Sequence, residues 1–175
     1  MSGHSKWSTI KHKKGAADEK RGRLFGKLAN AVSAAAKSDP NPQFNPRLRA
    51  AIDKARENNV PAENIERAVR RTAENKDALK EILIEAYGPE GAALLVEAIT
   101  DNSNRTISET KKILSDAGAK FAEPGAVVWA FENKNGGWEA KHRQALSAEG
   151  KEKLAALMEA LEERDDVQKI ITNAA

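Results

Sequence analysis

At 175 residues, with no cysteine and a formal net charge of +3, the chain has room for one large domain or two small ones. It has no material for a disulfide framework, a thiolate zinc site or a cysteine nucleophile. The charge is unevenly placed: residues 1–75 carry 16 Lys/Arg against 8 Asp/Glu, and residues 76–175 carry 13 against 18. The first part attracts polyanions and the second repels them, so the N-terminal part is where a phosphate backbone is expected to bind.

Residues 1–15 (MSGHSKWSTIKHKKG) show neither a helical nor a strand period and are expected to form a flexible basic arm. No apolar run follows them of the kind that directs secretion, and none in the chain reaches the ~20 residues that cross a bilayer. The expectation is a soluble, cytoplasmic protein that does not engage a membrane. From Ala16 to Lys37, Leu24, Leu28, Ala31 or Val32, and Ala35 recur at helical steps among Lys20, Arg21, Arg23 and Lys27. Ser38–Pro42 breaks that helix. Asn45-Pro46 supplies a cap and a first-turn proline for a second helix over 46–58, and Pro61 opens a third over 61–73. Residues 16–75 thus read as a three-helix bundle.

Beyond Lys76 the period changes. Strands are expected at Glu81–Ala86, Ala92–Thr100, Ala126–Phe131, Trp138–His142 and Val167–Thr172, with helices over 106–117 and 147–163. Asn104 or Asp101 can cap the first of these helices. The order describes an α+β sandwich over residues 76–175.

No catalytic pattern stands out. None of His4, His12 and His142 lies in an H-E-x-x-H helix, and there is no G-x-S-x-G, phosphate loop or dinucleotide fingerprint. A non-enzymatic protein without metal, cofactor or small-molecule substrate is expected. The basic opening carries the recognisable chemistry. Lys6, Lys11, Lys13, Lys14, Lys20, Arg21 and Lys27 can neutralise phosphates and release counterions. Trp7 lies among them with His4 and His12, and it has two readings of equal weight: stacking on an unpaired base, or folding back onto the bundle. Arg47 and Arg49 add secondary contacts. The acids interleaved on the second and third helices, with no polar base-reading face, argue against a major-groove recognition helix.

Gly3-His4-Ser5-Lys6-Trp7, Ile10 to Lys14, Lys20-Arg21, Asn45 to Ile52, Ile65 to Ala68, Tyr87-Gly88-Pro89, Asp101-Asn102, Asn104-Arg105-Thr106 and Asp165 to Gln168 together resemble the YebC/PmpR family. That family includes the mitochondrial translational activator of cytochrome c oxidase subunit one. The resemblance implies a helical N-terminal domain followed by a ferredoxin-like α/β domain. It marks Tyr87, Gly88, Pro89, Asn102, Asn104 and Arg105 as family-motif loops. Typical members carry a further inserted domain, here reduced to the stretch Asn133–His142, so the chain resembles a short form. The family's functions imply a regulator of gene expression. The first reading is a ribosome-associated translation factor contacting ribosomal or transfer RNA and assisting elongation through difficult stretches such as proline runs. The alternative is a transcriptional regulator on duplex DNA. The free protein is expected to be a monomer.

Overall fold

The computed structural model describes residues 3–75 and 78–175, the side chains of residues 3–12 and of Ala73 excepted. The chain divides into two compact units, Met1–Lys76 and Asp77–Ala175.

The first unit packs α1 (Gly3–Ala36) against α2 (Pro46–Glu57) and α3 (Ala62–Glu74). The aperiodic arm expected to reach Gly15 is instead part of α1, which begins at Gly3 rather than Ala16. Residues 13–22 are exposed on every side. A helix with no buried face has no hydrophobic period to read, and its Lys, Ala, Glu and Arg residues are good helix formers despite the intervening glycines. Period returns where α1 meets its partners. Leu28, Val32, Ala35 and Ala36 pack with Leu48, Ile52 and Ala55 of α2, with Val60, and with Ile65 and Ala68 of α3. Phe25 borders this core, whereas Leu24, an expected core residue, is 41% exposed.

Asn45 joins the end of α1 to the start of α2. Its Oδ1 accepts from the Leu48 N–H (3.0 Å), capping α2, while its Nδ2 donates to the carbonyls of Ala35 (2.8 Å) and Asp39 (2.7 Å). One buried amide thereby satisfies orphan groups at two helix ends. Two further buried hydroxyls tie α1 to α3: Ser33 Oγ donates to Ala68 O (2.6 Å), and Thr72 Oγ1 to Ser33 O (2.7 Å).

The second unit contains a four-stranded antiparallel sheet in the order β3-β1-β2-β6, from β1 (Lys80–Tyr87), β2 (Ala93–Thr100), β3 (Lys120–Ala122) and β6 (Val167–Thr172). Helices α4 (Ser103–Asp116) and α5 (Ala148–Glu162) cover one face. Leu114, Leu154, Leu157 and Leu161 pack there on Ile84, Ala86, Leu94 and Val96. This is the expected α+β layering, a helical bundle followed by a sandwich of sheet and helices, but the four strands and two helices run ββαβαβ rather than in the ferredoxin-like order βαββαβ. Its connectivity opens with the β1–β2 hairpin.

The opposite face is covered differently from expectation. Ala126–Phe131 is not a strand: Val128–Ala130 forms a single 3₁₀ turn, and β4 (Phe131–Lys134) begins only at Phe131. The apolar run marks burial rather than extension. Val127, Ala130 and Phe131 pack onto Ala93 and Leu95 of the sheet, and a short apolar run alone cannot distinguish a strand from a buried loop. β4 pairs with β5 (Gly137–Ala140) through Asn135-Gly136, both left-handed with φ 52° and 79°, as a tight hairpin turn requires. The three-residue strand β3 is too short to show an alternation and is not evident from the sequence.

Candidate nucleic-acid interface

The cations of α1 follow its helical geometry. Lys13, Lys20 and Lys27 are spaced by seven residues, with Lys14 and Arg21 immediately beside them. A seven-residue step drifts only ~20° around an α-helix, so these side chains leave from one broad stripe. Lys6 occupies the preceding position of the same register. The 34 residues of α1 extend ~50 Å at 1.5 Å per residue. Lys13, Lys14, Lys20 and Arg21 are exposed and make no ion pair among the described residues. Lys27 is half-buried and, like Arg47, engaged within the protein. The side chains of His4, Lys6, Trp7, Lys11 and His12 lie outside the described residues, so their expected roles rest on helical position alone.

Where α1 reaches the bundle, Lys20, Arg21, Leu24 and Phe25 line an open groove of about 600 Å³ whose far wall is Asn58-Asn59. At the opposite end, the 38–45 loop is organised by its own side chains. Asp39 Oδ1 accepts from the Asn41 N–H (2.7 Å), Asn41 Oδ1 accepts from the Gln43 N–H (2.9 Å), and Arg49 Nη1 donates to Pro42 O (3.0 Å). The loop displays Phe44, 74% exposed, just ahead of exposed Arg47 and Arg49. This exposed ring was not expected from the sequence, because nothing local in sequence encodes exposure. Three other bundle cations are paired along their helices, Arg23 with Glu19, Arg56 with Asp53, and Arg67 with Glu63, whereas Arg70 and Arg71 of α3 are exposed without an ion pair among the described residues.

The two motif loops of the second unit are not brought together. In the β1–β2 register Tyr87 pairs with Ala93 and Lys80 with Thr100. Tyr87-Gly88-Pro89 therefore sits at one end of the hairpin and Asn102–Arg105 at the other, roughly 25 Å away at ~3.4 Å per residue. Each loop has a structural part. Asn102, rather than Asp101 or Asn104, caps α4, its Oδ1 accepting from the Arg105 N–H (3.1 Å). Asn104 is exposed in the first turn. Arg105 donates from Nη2 to Asp166 (3.1 Å) and Asp101 (2.8 Å), and these hydrogen bonds raise its pKa. Two carboxylates already occupy this guanidinium, which leaves little positive field for a phosphate.

At the other loop, Gly88 N–H donates to Ala92 O (2.7 Å), and a methyl on Gly88 would meet Leu94 Cδ1 at 3.0 Å. Pro89 opens a 3₁₀ turn in which Glu90 is left-handed (φ 55°). The Glu90 carboxylate accepts from Ser147 Oγ and from the Ser147 N–H at the N-terminus of α5, and these bonds hold its pKa below the ordinary value. Tyr87 Oη donates to Ala126 O (3.0 Å).

Among the described residues no cluster of His, Asp and Glu could hold a metal ion, and no helix is long and apolar enough to cross a membrane.

These features have relatives. Residues 5–75 match the model of the TACO1/YebC protein N-terminal domain, and residues 79–136 that of the TACO1/YebC second and third domain. The second match ends inside the β4–β5 turn. A Trichlorobacter lovleyi protein named "Probable transcriptional regulatory protein" is 51% identical over 137 residues, covering 77% of this chain and 56% of the relative. A Dictyoglomus turgidum protein of the same name is 52% identical over 137 residues, covering 77% and 55%. The chain thus spans little more than half the length of these relatives. The crystal structure of the conserved hypothetical protein Aq1575 from Aquifex aeolicus superimposes with a TM-score of 0.83 at 29% identity, over 89% of this chain and 90% of that one. By both domain models, and by identities near one half to such relatives, the chain belongs to the TACO1/YebC family.

Proposed function

We propose that this protein is a nucleic-acid-binding regulator of gene expression. We further infer that it is a ribosome-associated translation factor, contacting RNA through α1 and assisting elongation through difficult stretches such as proline runs. The observation that carries the reading is the exposed cationic segment of α1. Lys13, Lys14, Lys20 and Arg21 project from a helix that is exposed all round between residues 13 and 22. A rod of this kind suits irregular folded RNA, where phosphates approach from several directions and unpaired bases are open to stacking. The acids on the bundle's other helices, including exposed Asp53, Glu57, Glu63 and Glu66, disfavour laying either helix along a duplex. The test is co-sedimentation with ribosomes at moderate salt. Migration with the ribosomal fraction is expected. Protein that stays at the top of the gradient while binding duplex DNA tightly contradicts the reading.

The second reading is a transcriptional regulator on duplex DNA, favoured by the names of the bacterial relatives. It requires a footprint at a defined promoter site. Binding that is indifferent to sequence and displaced by structured RNA excludes it.

A further inference from the structure

We propose that the Tyr87–Trp129 corner of the α/β unit is a stacking site for one unpaired base of a single-stranded or looped nucleic acid. The inference rests on the nucleic-acid reading above, but on different residues in the other unit.

Trp129 is 61% exposed and Tyr87 is 37% exposed, whereas Trp138 packs against the cluster containing Phe131. Exposure here is built rather than incidental. Trp129 Nε1 donates to Ala126 O (2.8 Å), the same carbonyl that accepts from Tyr87 Oη (3.0 Å). Both rings are tethered by their polar edges to one carbonyl oxygen and leave ring surface to solvent. The loop beneath is rigidly held, because the buried Glu85 carboxylate accepts from the N–H groups of Gly125, Val127 (2.7 Å) and Val128 (2.9 Å). The His142 ring lies 6.2 Å from Trp129, tilted by 44°.

Charge around this corner runs against its surroundings. Acids outnumber bases in the second part of the chain, yet Lys120 pairs opposite Tyr87 across β1 and β3, so it leaves the same face of the sheet. Lys141 donates its N–H to Ala130 O, next to Trp129, and Arg143 follows His142. Glu123 on the same loop opposes them, as do Glu132 and Glu139 on the adjoining β4–β5 hairpin, which pair with Lys134. A tethered, exposed indole on a corner that also carries cations suits a base with its phosphate attached. The occupant is an unpaired base because bases inside a duplex already stack on both neighbours.

The test measures the full chain binding a fluorescein-labelled uridine homopolymer, and a duplex of equal length, by fluorescence anisotropy. Trp129→Leu is expected to weaken single-strand binding by about five- to 150-fold, the range of ~1–3 kcal/mol per stacked base, and to leave duplex binding unchanged. Trp129→Phe is expected to stay within about threefold of the parent, since it keeps a π-face. Single-strand binding by Trp129→Leu equal to that of the parent overturns the inference, as does an equal loss in Trp129→Phe. A paired Lys13→Gln/Lys14→Gln variant separates the two proposals: if it alone weakens binding, the α1 reading stands and this site does not. If Trp129→Leu alone weakens it, the α1 reading falls.

Discussion

The first half of α1 and the loops and helix ends of the α/β unit place their charges differently. In the second unit many charges close on one another or on the backbone. Arg105 is held by Asp101 and Asp166, Arg164 by Glu109, Lys112 by Asp116, and Glu85 by three backbone N–H groups. In the first unit the cations of α1 between residues 13 and 21 are exposed without an ion-pair partner among the described residues, while pairing is confined to positions such as Arg23, Arg56 and Arg67. Charges satisfied internally hold a loop or a helix end in place. Charges left in water retain their field and their capacity to displace counterions from a polyanion. The difference separates arginines and lysines that build the fold from those available to a partner.

The largest expected effect tests the structural side of this contrast. Asn45→Ala removes the cap of α2 and strands the carbonyls of Ala35, at the end of α1, and of Asp39, in the loop beyond it, which should destabilise the helical unit by about 2–4 kcal/mol. Thermal or urea unfolding followed by circular dichroism reads it, and an unchanged midpoint would mean that the amide is not the joint.

Glu85→Ala should follow at about 2–3 kcal/mol, because three N–H donors lose a charged acceptor. Burial raises the Glu85 pKa, but the bonds from Gly125, Val127 and Val128 outweigh it and hold the carboxyl below its ordinary value of 4.5. A lowered folded-state pKa means that the stabilisation is complete above the unfolded value and is lost as pH falls through the folded one. The gap in melting temperature between parent and variant should therefore be widest near neutrality and shrink as pH falls through the lowered folded-state value. A gap independent of pH contradicts the ionised role.

Trp7→Ala sharpens the contrast on the binding side. A stacked ring should weaken RNA binding by about 1–3 kcal/mol with little change in the salt slope, whereas a ring that serves only the fold should lower the melting temperature instead. The smallest effect is expected from Arg105→Gln. It removes a cation already claimed by two carboxylates, so the slope of binding against salt should not move; a shallower slope would make Arg105 a phosphate contact.

Much of this was legible in sequence where a side chain meets a local need. Asn45-Pro46 announces α2, Val167–Thr172 is β6 to the residue, and Asn135-Gly136 forms its hairpin turn. Legibility failed where burial and secondary structure part company. The first half of α1 is helix without a buried face, and Ala126–Phe131 is buried without being strand. For the candidate interface, the cations of α1 were readable as a cluster, but their stripe needs the helix that the pattern conceals. The exposure of Phe44 and Trp129 was not legible, because the fate of an aromatic side chain is decided by what packs over it, which is set far away in sequence.

The most direct test is the salt dependence of RNA binding by the full chain and by a fourfold variant, Lys13→Gln, Lys14→Gln, Lys20→Gln and Arg21→Gln. With about six phosphates neutralised, the parent's log–log slope should be roughly −4 to −5, and the variant's should be shallower by about three units. A variant that keeps the parent's slope would show that the exposed face of α1 is not where the polyanion is held.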